Sequence, residues 1–264
     1  MKKKVILCPN PYRDSELKVA KDAKAILEGI GFETVVCLPF HRDGYGDELG
    51  VPVRQLQQEI KSADLMIAFG GDGTILHLSR TAALHNVPVL GINLGSLGFM
   101  SELEANELER LRDLQSWDFV VESRMMLDVT IFRNGNAVYS NIALNDAVVS
   151  KGSVARVVRL DIFTEEGRLT KVGGDGIIAS TPTGRRGDLS PHRLHRLFHG
   201  GGRPHCGAYS PESADHAHLS PLHPRHVLCA VAGACDHHRG GGRQPEVRLS
   251  LRRRRQGVFS EKRR

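Results

Sequence analysis

The chain predicts an α/β layered domain followed by a β-rich domain that stops short. Three observations carry this. Up to about residue 100, short apolar strands alternate with amphipathic helices. From about residue 118 the hydrophobic period shortens to that of strands. Just after Gly184 the composition changes abruptly and no strand pattern is read beyond it. The organisation expected is therefore an α/β domain over residues 1–115, a truncated β-rich domain over 116–184, and a tail over 185–264 expected to be disordered.

The elements follow in order. Val5–Cys8 reads as the first strand and Ser15–Leu27 as a helix with Ser15 at its cap. Thr34–Leu38 is a second strand, Val53–Lys61 a helix, and Leu65–Phe69 a third strand. Ile75–Ala83 is the next helix, Val89–Ile92 a strand, and Glu102–Leu114 a charged helix. Met125–Arg133, the turn Asn134-Gly135-Asn136 and Ala137–Tyr139 read as a hairpin. Ala147–Lys151, Val157–Thr164, Leu169–Val172 and Gly176–Ser180 continue as strands, with a turn at Glu165-Glu166-Gly167. Strand order is not legible, but ligands on such sheets sit beyond the carboxyl ends of strands.

Gly70-Gly71-Asp72-Gly73-Thr74 lies at such an end. Bare glycine backbone admits a phosphate, and a helix N-terminus favours negative charge. A carboxylate among phosphate-binding groups is costly unless it takes a proton or holds a metal, so Asp72 reads as the chemical centre of a phosphotransferase. The alternative at this point is a tight β-to-α turn with an N-cap aspartate.

At 264 residues the chain holds one large or two ordinary domains. No apolar run is long enough to span a bilayer, and Met1–Lys4 runs straight into a strand too short for a signal peptide's apolar region. Five cysteines without paired metal-ligand spacing argue for a reduced, cytoplasmic setting. The net charge of +6 is uneven: residues 185–264 carry 16 Lys+Arg against 6 Asp+Glu, and residues 1–184 carry 20 against 24.

Four further motifs follow the first in order: Gly91-Ile92-Asn93-Leu94-Gly95-Ser96-Leu97-Gly98-Phe99, Leu144-Asn145-Asp146-Ala147-Val148-Val149, Gly174-Asp175-Gly176, and Ser180-Thr181-Pro182-Thr183-Gly184. With Gly70–Thr74, the set closely resembles bacterial NAD kinases over residues 1–184. The resemblance implies a Rossmann-like layered sheet, an all-β sandwich-type C-terminal domain, and transfer of the γ-phosphoryl of ATP to the 2′-hydroxyl of the adenosine ribose of NAD, giving NADP. It further implies Asp72 as general base, with Gly70, Gly71, Gly73 and Thr74 around the phosphates and dinucleotide. Asn145 and Asp146 match the pair that holds the adenosine ribose and base, and Asp175 matches an aspartate on the nicotinamide half. His77, Arg156 and Thr183 fall at ligand-contacting positions. Mg²⁺ would arrive with ATP rather than in a dedicated protein cage, and intact relatives are homo-oligomers. On residue type alone, Asn145-Asp146 can also be read as a turn or bulge before a strand, Asp175 as an ordinary turn aspartate, Arg156 and Arg159 as solvated strand charges, and His77 as a packed or solvated helix residue.

The resemblance breaks after Gly184. The family continues Thr-Pro-Thr-Gly with Ser-Thr-Ala-Tyr-Ser and further sandwich strands, whereas this chain continues Arg185-Arg186-Gly187-Asp188. Residues 185–264 contain no Ile, Met, Asn or Thr, one lysine (Lys262) among fifteen arginines, and 10 of the 13 histidines. The missing types use codons beginning with A, the deficit expected of a GC-rich gene read out of frame. Read one base later with permitted synonymous codons, Leu194–His205 can give STAYSMAAGGPI, His218–Val227 ICPHSIPATS, and Arg248–Ser260 VYLSVDGGKAFS. The tail is therefore expected to be an out-of-frame translation of the missing domain, which leaves the chain marginal, prone to aggregate, and inactive in this form. Two other readings stand beside it: a lipid or sugar kinase with the same glycine–aspartate turn, and a basic nucleic-acid-binding protein acting through the arginine-rich tail.

Overall fold

The computed structural model describes residues 2–40, 50–95, 98–150, 158–164, 167–181, 183, 226–232 and 246–260. The chain divides into two compact units, Met1–Met125 with Arg253–Arg264, and Met126–Arg252.

The first unit is built on six parallel strands: β1 (Lys4–Pro9), β2 (Glu33–Cys37), β3 (Val53–Arg54), β4 (Leu65–Gly70), β5 (Val89–Asn93) and β6 (Leu103–Glu104). Their order is β6-β5-β4-β1-β2-β3, with β1 aligned to β4 through Val5↔Leu65 and Leu7↔Ile67. Val5–Cys8 and Leu65–Phe69 are completely buried. That is why they read as continuous apolar runs rather than alternating ones: helices cover both faces of a parallel sheet. Helix α1 (Lys18–Gly29) runs between β1 and β2, and α3 (Asp72–His85) between β4 and β5. The two crossovers move outward in opposite directions along the sheet, and right-handed crossovers then place the helices on opposite faces. Leu17, Ala20, Ala23 and Leu27 join Leu111 and Leu114 over Val5, Leu7 and Ile67 on one face. The point where the connections diverge lies between the carboxyl ends of β1 and β4, where such sheets open a crevice.

The four expected helices all begin elsewhere than the sequence predicts. Helix α1 starts at Lys18, because Ser15–Leu17 forms a separate 3₁₀ turn with Glu16 and Leu17 at positive φ. Asp14, not Ser15, caps α1: its carboxylate oxygens accept the N–H groups of Val19 and Ala20, each at 3.0 Å. Val53 and Arg54 form an edge strand paired with Val36 and Cys37, so only Leu56–Glu59 is α-helical (α2), followed by a 3₁₀ turn to Ser62. Residues Ala105–Ser116 are a 3₁₀ segment closed by a Glu104/Glu107 capping box, with β6 before it. Helix α3 begins at Asp72 rather than Ile75, which makes the glycine–aspartate motif its first turn.

Burial pushes the Asp14 carboxyl above its ordinary value, and the Val19 and Ala20 N–H groups pull it only part of the way back. The folded chain thus binds this proton more readily than the unfolded chain. Asp14 therefore favours folding as pH drops into the carboxylate range. Asp64 acts in the opposite sense: burial raises it, but the Lys4 N–H and the Lys3 ammonium outweigh that and hold it low, so its contribution is lost in acid. Replacing Asp14 by Ala removes the cap of α1 and is expected to lower stability by about 1–2 kcal/mol in urea melts at neutral pH.

The second unit is antiparallel. Strand β7 (Val120–Arg133), which enters from the first unit, pairs with β8 (Asn136–Ala143) across Asn134 and Gly135. Both turn residues are at positive φ (54° and 83°), as a two-residue hairpin turn requires. Strand β9 (Asp146–Ser150) pairs with β12 (Gly176–Ser180), and β10 (Val158–Thr164) with β11 (Gly167–Gly174).

The expectation of a strandless tail is corrected: β13 (His226–Ala232) pairs with β10, and β14 (Glu246–Ser260) pairs with β13. The alternation of Val247, Leu249 and Leu251 with polar residues is a strand pattern. It is hidden by the arginine content around it. The rest of the tail lies outside the described residues. Among the described residues, Ile162 is buried beside Val129, Ile131, Val149, Val172 and Ile177, which are partly covered, and Met126, Leu127, Leu144 and Leu160 are buried as well. Val138 and Tyr139 are half exposed, at 54% and 50%.

Candidate phosphate site and catalytic aspartate

Strand β4 ends at Gly70, and the chain turns directly into α3 with Gly71 at the N-cap and Asp72 as the first helical residue. The first-turn N–H groups of any helix lack intrahelical partners, so this end offers donors at the crevice between β1 and β4. The glycines have distinct reasons. A Cβ on Gly70 would fall on the Thr74 side chain, so this glycine exists for packing. A Cβ on Gly71 or Gly73 would meet nothing within 4 Å. Those two form a bare, open backbone face, which a phosphate can approach.

Thr74 is buried and its Oγ1 accepts the Asn10 Nδ2 at 3.0 Å, while Asn10 Oδ1 accepts the Tyr12 N–H. The two strand ends flanking the crevice are thereby tied together. Arg13, on the same loop, brings its guanidinium against Gly95, with Nη1 3.0 Å from where a Cβ would stand. His77 is exposed on α3, its ring 4.6 Å from that of Phe40. The Asp72 carboxylate is held on both oxygens: Oδ2 accepts the Phe99 N–H and Oδ1 the Met100 N–H, each at 3.1 Å. Asn93, buried at the end of β5, donates through Nδ2 to Gly95 O and to the Glu104 carboxylate.

In the second unit, Thr181 donates its N–H to Asn145 O at 2.7 Å and its hydroxyl to Leu144 O. Thr181 thus anchors the Asn145-Asp146 corner just where β9 pairs with β12, Asp146 opposite Ser180. The Oδ1 atoms of Asn145 and Asp146 are buried without a hydrogen-bond partner among the described residues. Buried acceptors of this kind are costly unless a ligand donates to them. Asp175 is exposed between β11 and β12, and Gly176 beside it has a packing reason, since a Cβ would fall on Val149 O. Thr183 is half buried, and Arg156 lies outside the described residues. No group of three or more His, Cys, Asp or Glu that could hold a metal occurs among the described residues. Nor, among them, is any helix long and apolar enough to cross a membrane.

The residues that the motifs did not reveal are Asn10, Arg13 and the backbone of Phe99 and Met100. Asn10 and Arg13 follow the first strand in a stretch of ordinary loop composition. The Phe99 and Met100 contacts are made by N–H groups that every residue carries.

Comparison with known proteins decides the relationship. A sequence profile described as the ATP-NAD kinase N-terminal domain matches residues 12–114. The NAD kinase of Acetivibrio thermocellus is 34% identical over 184 residues, covering 69% of this chain and 62% of that protein. The chain belongs to the NAD kinase family. The NAD kinase of Geobacter sulfurreducens is 44% identical over 126 residues, 47% of this chain and 44% of the relative. The chain thus spans less than two thirds of the length of these NAD kinases. Among solved structures, yeast NADH kinase complexed with NADH superimposes with a TM-score of 0.68 at 21% identity, covering 98% of this chain and 82% of that one. An NAD kinase from Archaeoglobus fulgidus in complex with ATP gives a TM-score of 0.59 at 16% identity, covering 98% and 94%. At these identities the likeness concerns the fold.

Proposed function

We propose that this chain carries the machinery of an NAD kinase, transferring the γ-phosphoryl of ATP to the 2′-hydroxyl of the adenosine ribose of NAD in a cytoplasmic setting. The observation that carries this reading is Asp72 standing at the first position of α3 between two glycines whose backbone faces are open. Phosphoryl transfer needs accurate positioning, charge neutralisation and a base near the hydroxyl. Asp72 takes the 2′-hydroxyl proton as the ribose oxygen bonds the γ-phosphorus and the bond to the β-phosphate oxygen breaks. The open N–H groups at the start of α3 receive phosphate oxygens. The unpartnered Oδ1 atoms of Asn145 and Asp146 suit the hydroxyl and amino donors of an adenosine. Asp175 takes the nicotinamide half, with His77, Arg156 and Thr183 as further contacts. Mg²⁺ carried by the ATP phosphates would neutralise charge on them, and the Asp72 carboxylate at the phosphate face is an oxygen ligand of the kind this ion takes.

The composition break after Gly184 supports a second element of this proposal: residues beyond it are an out-of-frame translation, and the chain is inactive as it stands. The experiment pairs this chain with a frame-restored version, read one base later beyond codon 184, in an assay of NADP formation from NAD and ATP. The restored chain is expected to form NADP and the present chain to form little. An inactive restored chain with Asp72 intact removes the kinase assignment; a fully active present chain removes the frameshift. An assembled homo-oligomer is expected of the restored chain only.

A further inference from the structure

We propose that the segment Gly98-Phe99-Met100 is the positioning element of Asp72, a backbone clasp that sets the plane of the carboxylate before any substrate arrives. The inference rests on the reading of Asp72 as the base and adds the residues that aim it.

An aspartate at the first position of a helix is free to turn about its side-chain torsions, and a base that must meet one hydroxyl cannot be left to do so. Here the two oxygens are fixed separately, Oδ2 by the Phe99 N–H and Oδ1 by the Met100 N–H, each at 3.1 Å. Two donors on two oxygens define the carboxylate plane, which a single bond would not. Each oxygen keeps a second lone pair, so the clasp leaves the carboxylate able to accept a proton.

The approach depends on Gly98. A Cβ there would fall on Asp72 Oδ1 and within 3.1 Å of its Cγ. Any side chain at this position forces the carboxylate or the segment aside. The segment is itself seated on the sheet: Glu102 donates its N–H to Gly91 O at 3.0 Å, and a Cβ on Gly91 would meet Ser101 Cα at 3.0 Å and Met100 O at 3.2 Å. Glycines on β5 and in the following loop therefore bring a backbone ledge from one strand end to the aspartate at the next. The spacing of the Gly91–Phe99 motif has a physical reason in this arrangement.

The test is amide hydrogen exchange on the full chain without ligand, read residue by residue. In the parent, the Phe99 and Met100 amides are expected to be protected. Asp72→Ala is expected to speed both by about tenfold or more while the amides of β4 and β5 keep their rates. Asp72→Asn, with one acceptor oxygen, is expected to keep protection at one of the two amides only. A general loosening of the fold would not produce that pattern. Gly98→Ala is expected to release both amides and, introduced into the frame-restored chain, to lower kcat for NADP formation with KM for ATP unchanged. Full protection of both amides in Asp72→Ala, or equal acceleration across the sheet, overturns the clasp. Free exchange in Gly98→Ala with parental kcat overturns its positioning role. Absence of NADP formation by the frame-restored chain would remove the kinase reading, while the exchange pattern would still decide whether the clasp exists.

Discussion

Asp72→Asn in the frame-restored chain is expected to lower the rate of NADP formation by roughly 10²–10⁴-fold, the usual contribution of a positioned general base. The substitution is close to isosteric and keeps an oxygen for one of the two clasping N–H groups. Besides that one lost acceptor, the first turn of α3 loses the favourable interaction of one negative charge with the helix N-terminus, about 0.3–1 kcal/mol. Binding of NAD, measured by calorimetry, is expected to stay within a few-fold of the parent, so the loss falls on kcat. Two outcomes would count against the assignment. A variant that keeps a rate within about tenfold of the parent has lost nothing a base supplies. A variant that loses NAD binding altogether places Asp72 in recognition rather than chemistry.

The chain displays much of its fold in its pattern, for identifiable reasons. The buried strands β1 and β4 are uninterrupted apolar runs because helices cover both of their faces, and that signal survives any error at their ends. The boundaries that slipped did so where tertiary contacts override local preference. Val53 and Arg54 pair with the edge of β2 instead of opening a helix. The cap of α1 is supplied by Asp14 across an irregular turn, which no spacing rule contains.

The site was legible to the extent that it is made of unusual residues. Glycines and one aspartate in a row announce a phosphate turn, and Asn145-Asp146 stands out beside them. What remained hidden is made of ordinary groups. The topological switch between β1 and β4 depends on strand order, and the hold on Asp72 comes from two backbone N–H groups 27 and 28 residues away. The last strand was hidden for a related reason: Arg248 and Arg252–Arg255 dominate its composition, while strand formation depends on the alternation of Val247, Leu249 and Leu251.

The four glycine and threonine positions around Asp72 separate fold from function in a single pair of variants. At Gly70 an added methyl falls on the Thr74 side chain, whose hydroxyl ties the ends of β1 and β4 through Asn10. Gly70→Ala is therefore expected to lower stability by about 1–3 kcal/mol, the cost of forcing a group into a packed site. Gly73 gives the opposite sign. A methyl there meets nothing within 4 Å, and the residue lies within α3, where alanine is preferred to glycine by up to about 1 kcal/mol. Gly73→Ala is thus expected to hold or raise the urea midpoint. Yet its methyl stands on the face a phosphate must approach, and displacement of a reacting group by about 1 Å costs on the order of 10² in rate. Urea melts of this chain and NADP assays of its frame-restored form read the two effects separately. A Gly73→Ala chain that is as stable as the parent and equally active would show that nothing binds at the open backbone. A chain of parental stability or better with kcat/KM lowered about 100-fold places the ligand where the structure leaves room for it.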